Sequence, residues 1–412
     1  MNQKFTYQCN DCGTEFPANG VVYVCPICSK QQQPGQPPHG ILKVKYNETP
    51  LRGKTFESIE NNHFIDLLPL KSNDSRPFLK VGDTPLYRIS KWRGQSFDHT
   101  LYLKDDSQNP TFSFKDRASA VVSAFAMEHD IKMIVAASTG NAGSSLAGLC
   151  AAQNQKAVIF VPAAAPKAKL TQILMYGAIL VPVEGNYDQA FDLSIKATQK
   201  FGWYNRNTAY NPLTIEGKKT VSFELFSQMK HQIPDRIFVP VGDGVIISGV
   251  YKGFEDLMQL GIIYKMPVIV AVQAEGSSNF ADNIKTETFC YKSSSTIADS
   301  ISVDIPRNFR MAKKYIQKYS GEIIKVSDHE ILQAAAIMAS ETGIFAEPAA
   351  AAAFAGYNKY LQTNLITEDS SNVILLTGSG LKDLNAVQPL LNLPEAVKPD
   401  MQAVEQFLTG KI

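Results

Sequence analysis

What this sequence has little of narrows it first. No apolar run approaches the ~20 residues that cross a bilayer as a helix. The longest small-residue stretch, AEPAAAAAFAG at 346–356, is too short for that and reads as a tightly packed helix. The opening MNQKFTYQCN lacks the apolar core of a secretory signal. An excess of one charge is also missing. Forty Lys and Arg against 39 Asp and Glu leave a net +1, so no global field selects nucleic acid or a membrane surface. Six cysteines in 412 residues are far too sparse for a disulfide scaffold. The six histidines form no metal-spaced cluster, and no fixed-period repeat recurs. These absences predict a cytoplasmic protein with reduced thiols, with no role for nucleic acid or a membrane.

Four of the six cysteines are not scattered. Cys9-x-x-Cys12 and Cys25-x-x-Cys28 form two knuckles separated by twelve residues, with Gly13 permitting a tight turn. Two thiolates per knuckle suit one tetrahedral Zn²⁺, and four protein ligands would close the site, making the metal structural. Free thiols or a redox pair are the alternative. The following QQQPGQPPHG (31–40) cannot build a core and reads as a linker or ordered loop.

From about residue 76 the pattern changes. Short β-branched runs alternate with longer helical ones: KMIVAAS then NAGSSLAGLCAAQ, KAVIFVP then PKAKLTQILMYG, RIFVPVGDG then GVYKGFEDLMQLG. Fully apolar strands between amphipathic helices predict parallel sheets covered on both faces. Three strands run directly into small-residue turns that open helices, AASTGNAG, VPVGDGVIISG and LLTGSGLKD. Ligands in open α/β sheets bind beyond the carboxyl ends of strands, and helix N-termini offer free N–H groups there.

Within this frame NPTFSFKDRAS (109–119) offers a candidate nucleophile, Lys115. A Schiff-base lysine needs a desolvated setting, which Phe112 and Phe114 can supply, while Asp116 and Arg117 can pair and leave the amine free. A solvated loop lysine fits the same stretch. STGNAG (138–143) can close on a carboxylate or simply cap a helix. GDGVIISG (242–249) lets the backbone approach a phosphate but is no Walker loop. Thr377 in TGSGLKD could present a hydroxyl at a strand end, or mark an ordinary strand–turn–helix junction.

The order of these motifs resembles the fold type II pyridoxal-phosphate enzymes, most closely the threonine synthase family. NPTFSFKDRAS is similar to that family's lysine motif and STGNAGSSLAGLCAA to its asparagine loop. NPLTIEGKKTVSFEL is similar to its NPYRIEGQKT segment, and VPVGDGVIISGVYKGFEDL to its phosphate loop. ETGIFAEPAAAAAFAG and LLTGSGLKD match its C-terminal segments. The resemblance covers about residues 5 to 385. It implies two doubly wound α/β domains of the tryptophan synthase β-like type, with a four-cysteine zinc-ribbon-like extension. The boundaries expected are 1–45 for the extension and linker, 46–119 plus 206–412 for the large cofactor-binding domain, and 120–205 for a smaller mobile domain. It further implies pyridoxal 5'-phosphate on Lys115, which also moves the protons. Asn141 would bond the cofactor's phenolic oxygen. The N–H groups of Gly242, Asp243, Gly244, Val245 and Ile246 would hold its phosphate, and Thr377 would face its ring nitrogen. Ser138, Thr139 and Gly140 would take the substrate carboxylate, with Lys218, Lys219, Arg117 and Arg307 as candidate phosphate contacts. The implied reaction turns O-phosphohomoserine and water into threonine and phosphate, in a homodimer. A cysteate synthase-like β-replacement and a serine/threonine dehydratase-like elimination are the alternatives on this scaffold.

The chain departs from the family at several places. Phe112 stands where the lysine motif has glycine, and its phenyl is expected to intrude on the substrate end of the pocket. Asp243 and Val245 alter the phosphate loop, and a carboxylate there must turn away or meet a cation. Thr214 stands where arginine is common, and DSISVDIPRNF (299–309) replaces a segment resembling AIRIGNP.

Overall fold

A computed structural model describes residues 3–92 and 94–409. Its strands form three sheets. The first is small and antiparallel, with β1 (Phe5–Cys9) between β2 (Glu15–Pro17) and β3 (Leu42–Tyr46). Alternation in FTYQC puts Phe5, Tyr7 and Cys9 on its buried face. Tyr23 and Tyr46 tie this unit to the body. The Tyr23 hydroxyl accepts the Asn205 N–H at 2.8 Å, and the Tyr46 hydroxyl donates to Glu216 at 2.6 Å.

The second sheet has six strands in the order β12-β11-β10-β13-β5-β4. Here β4 is Leu86–Trp92, β5 Gln95–Asp105, β10 Arg236–Pro240, β11 Val268–Ala274, β12 Glu322–Val326 and β13 Ser371–Leu376. All its pairings are parallel except the β4–β5 hairpin at one edge. The third sheet orders β8-β7-β6-β9, all parallel, from β6 (Met133–Ala137), β7 (Lys156–Pro162), β8 (Ile179–Val183) and β9 (Tyr204–Asn205). The apolar interiors of β7, β10 and β13 are buried, as strands covered on both faces must be. The alanine run Pro348–Gln362 is a helix lying on the six-stranded sheet. Its small residues allow the approach: a Cβ on Gly356 would meet Val272 at 2.6 Å.

The chain leaves the large sheet after β5 and reaches the third sheet at β6 through the helix Lys115–Glu128. Lys115 therefore sits where the two sheets meet. That helix is pinned by a buried charge network. Arg117 donates to Asp106 at 2.5 and 2.9 Å and to Glu224 at 2.6 and 2.8 Å, and Lys104 reaches Glu224 at 2.8 Å. Asp116 and Arg117 thus do not pair with each other. Asp116 is held by the Thr111 N–H and hydroxyl at 2.7 and 2.5 Å. The amine of Lys115 has no hydrogen-bond or ionic partner among the described residues all the same.

Candidate functional site

A cavity of about 440 Å³ opens at the carboxyl ends of the parallel strands of both sheets. Lys115 lines it, with the 138–141 turn on one side and the 242–246 turn on the other. Each turn follows a strand and opens a helix, Asn141–Ala152 and Val245–Gln259. The first N–H groups of each helix have no intrahelical acceptor, so both walls present donors.

Burial pulls the Lys115 ammonium below the usual lysine range, Glu347 partly opposes this, and Arg206 adds to it. Asn141 donates to both oxygens of Glu347, at 2.9 and 3.0 Å. Burial raises the Glu347 carboxyl, against the pull of Asn141 and Lys115. Ser138, Thr139 and Gly140 line the cavity half-buried. Thr377 lies at the end of β13, buried and not among the cavity-lining residues; its carbonyl accepts the Phe114 N–H at 2.9 Å.

The 242–246 turn has the form of an anion cradle. Gly244 adopts φ +82°, which glycine reaches without strain. A Cβ on Gly242 would meet the Ile301 backbone at 2.9 Å, so the loop is narrowed by the 299–307 segment. Asp243 does not face a phosphate unpaired: one carboxylate oxygen accepts the Arg307 N–H at 3.1 Å. Burial raises its carboxyl, and that N–H works against the shift.

Two of the four candidate phosphate contacts are spent elsewhere. Lys219 is fully buried between Glu216 at 2.5 Å and Asp256 at 2.6 Å, and Arg117 serves the network above. Arg307 lines the cavity mouth, but its guanidinium pairs with Asp188 and stacks on Phe191 at 4.5 Å. Of the four, Lys218 lines the cavity without an ionic partner: it is buried, and its Nζ, enclosed beside the cavity, has no hydrogen-bond partner among the described residues.

Phe112 does not intrude on the pocket. It is 48% exposed and is not among the cavity-lining residues. Its φ of +68° gives the reason glycine suits this position, since L-residues are strained there. The turn holds because the Phe112 N–H donates to Asn109 and its carbonyl accepts from Ser379. Sequence reasoning missed Glu347 and Arg206. Glu347 lies in a motif whose signal was its alanines, and Arg206 follows a two-residue strand with no motif of its own.

At the far end of the chain's first sheet, the Sγ atoms of Cys9, Cys12, Cys25 and Cys28 all lie within 4.8 Å of one another. Ligands about 2.3 Å from a tetrahedral zinc stand ~3.8 Å apart, and Cys12 and Cys25 are 3.9 Å apart. The donor set and spacing fit the metal. No helix among the described residues is long and apolar enough to cross a membrane.

Comparison with known proteins agrees with this geometry. Residues 78–378 match the family model described as pyridoxal-phosphate dependent enzyme. The threonine synthase of Methanocaldococcus jannaschii is 32% identical over 97% of this chain and 98% of its own length. That of Methanosarcina acetivorans is 32% identical over 98% of each. Among solved structures, maize serine racemase superposes with a TM-score of 0.64 at 22% identity, covering 82% of this chain and 96% of its own. Threonine deaminase isoform 2 of Solanum lycopersicum reaches 0.62 at 24% identity, over 72% of this chain and 84% of its own.

Proposed function

This chain belongs to the pyridoxal-phosphate dependent enzyme family, and from that premise we propose that it is a lyase converting O-phosphohomoserine and water to threonine and phosphate. The observation that carries the reading is Lys115, a half-buried amine that desolvation pulls below the usual lysine range, lining a cavity with a glycine turn that opens a helix. For a cofactor held there, N–H groups of Gly242 to Ile246 would hold its phosphate, Asn141 would turn from Glu347 to its phenolic oxygen, and Thr377, which does not line the cavity, is given its ring nitrogen by the resemblance alone. When bound, pyridoxal phosphate supplies the electron sink that acidifies the substrate's Cα–H. Ser138, Thr139 and Gly140 would receive the substrate carboxylate and orient that bond. Lys115 Nζ, freed to act as a base, would take the α-proton and then a β-proton while phosphate leaves Cγ; a proton returns to Cγ, water adds its hydroxyl at Cβ, and a proton returns to Cα. Residues 120–205 are the moving part in this proposal. Asp188 with Arg307, and Lys169 with Asp299 at 2.6 Å, latch them over the mouth. A homodimer belongs to the same reading.

One observation favours a second reading, a β-replacement or elimination on a shorter substrate such as phosphoserine with sulfite. Thr214, at the family's arginine position, is fully buried, and its hydroxyl donates to the Asn211 carbonyl at 2.8 Å. The cation the family carries at this position is therefore absent, and a phosphoryl group would be held from another part of the pocket, at a different distance from Cα. The test is to mix cofactor-loaded protein with O-phosphohomoserine, follow the visible absorbance, and assay threonine and phosphate in the same tube. Equal yields support the first reading. Absorbance unmoved by this compound rejects it, and phosphoserine with sulfite comes next.

The proposal extends to a structural Zn²⁺ on Cys9, Cys12, Cys25 and Cys28. We expect one zinc per chain by metal analysis. Chelation should expose residues 10–40 to protease, because closed zinc sites supply folding energy. The visible absorbance of bound cofactor should survive that treatment, since none of the four cysteines lines the cavity.

A further inference from the structure

We propose that Lys218 is an oxyanion-binding residue of the cavity, backed by the charge of Arg206, and that it takes the second, doubly charged group of the reactants. This rests on the proposed function for the identity of the site, but not for the lysine's own role.

Lys218 ends the short helix Leu213–Lys218, and its neighbours face elsewhere. Glu216 accepts from Tyr46 and pairs with Lys219, while Lys219 pairs with Asp256. Thr214 and Lys218 are four residues apart, hence on one face of the helix. The chain has lost a cation at 214 and carries one a turn later, at a position where the family segment has glutamine. The stem of Lys218 is held firmly, because a Cβ on Gly249 would meet its Cβ at 2.7 Å. Its ammonium end is left without a hydrogen-bond partner among the described residues.

Arg206 is the second cation of this region. It is 1% exposed, and its Nε donates to Ser119 at 3.2 Å and an Nη to the Lys115 carbonyl at 3.5 Å. No carboxylate pairs with it among the described residues. Burial presses its guanidinium down to about 10. Burial also lowers Lys218 well below the usual lysine range, with Arg206 and then Lys115 adding to the effect and Asp243 partly opposing it. The nearby carboxylates make their hydrogen bonds elsewhere, Asp243 to the Arg307 N–H and Glu347 to Asn141, so neither bonds the Lys218 ammonium. Burying an ammonium without a partner is costly, and chains retain such a group where a ligand completes it. An oxyanion with two charges has the chemistry to do so, accepting from Lys218 while Arg206 raises the local potential. It can be the ester phosphate of the amino-acid substrate or a free oxyanion co-reactant such as sulfite.

The test uses cofactor-loaded protein, so that the 242–246 turn is already filled. Inorganic phosphate is titrated by calorimetry into the parent, K218Q and K218M. We expect phosphate to bind at least about tenfold more weakly to both variants, the loss of one charge-assisted bond, and K218R to recover part of it. Both neutral variants should be at least as resistant to urea as the parent, since each removes an unpaired buried cation. That combination of weaker binding and unchanged or higher stability separates a ligand-binding role from a structural one. The source is then read from pairs of ligands. If the ester phosphate is bound, K218Q weakens O-phosphohomoserine or O-phosphoserine while leaving homoserine and serine unchanged. If a co-reactant is bound, K218Q weakens sulfite measured with the amino acid already in place. Equal phosphate affinity in parent, K218Q and K218M overturns the proposal. A protein that takes up no pyridoxal phosphate defeats the proposed function instead; phosphate then also has the open 242–246 turn, and the lysine's role is read from a second bound phosphate that is present in the parent and lost in K218Q and K218M, its presence in all three overturning the proposal.

Discussion

Lys115→Ala is expected to take up no cofactor covalently and to lose activity by about 10³-fold or more, the scale of removing a positioned acid–base group. The half-buried amine of Lys115 lines the cavity that the 138–141 and 242–246 turns also line. Reduction of loaded protein with borohydride should fix the cofactor on the peptide holding Lys115, and mass spectrometry of parent and variant reads this directly. A cofactor fixed at any other lysine would sink the assignment. The pH dependence of capture has a definite sign. A lysine whose pKa is lowered by burial is neutral, hence nucleophilic, at lower pH than the ordinary value near ~10.4. Cofactor uptake should therefore reach half its maximum below that pH and rise with pH through it.

Glu224→Gln should destabilise the protein by about 3–5 kcal/mol, because it strands Arg117 and Lys104 as buried charges. Urea denaturation of parent and variant measures it, and a change under about 1 kcal/mol would contradict the network's role. Burial opposes ionisation of Glu224, but Arg117 and Lys104 overcome it and hold the carboxyl well below the usual range. The folded value lies below the unfolded one, so this contribution is complete above the unfolded value near ~4.3. It fades only as pH falls through the depressed folded value. The variant should accordingly lose part of the parent's acid-side pH dependence. Since Arg117 lies two residues beyond Lys115 on one helix, the variant should also load cofactor less completely.

Much of the fold was legible because its strands are short, apolar and bounded by small residues. KAVIFVP, RIFVPV and NVILL are strands β7, β10 and β13, each opening into a helix or turn at the cavity side. The β4–β5 hairpin went unread. Its residues mix charged, aromatic and aliphatic side chains, since an edge hairpin is covered less completely than a central strand. The effect of Phe112 was misjudged for a related reason. A one-letter comparison shows a large residue in place of a small one, while what the position requires is a positive φ.

The amino-acid sequence by itself determined the α/β class, the four-cysteine cluster, and the turns that bracket Lys115. These are local properties: periodicity, cysteine spacing, and glycine where a helix opens on a strand. Only the tertiary structure decided which charges are available. Arg117, Lys219 and Lys218 look alike in sequence, yet the first two are neutralised by Asp106, Glu224, Glu216 and Asp256, and the third is not. The partners come from segments up to about a hundred residues away. A charge buried in a low-dielectric interior takes its meaning from whichever group the fold sets beside it.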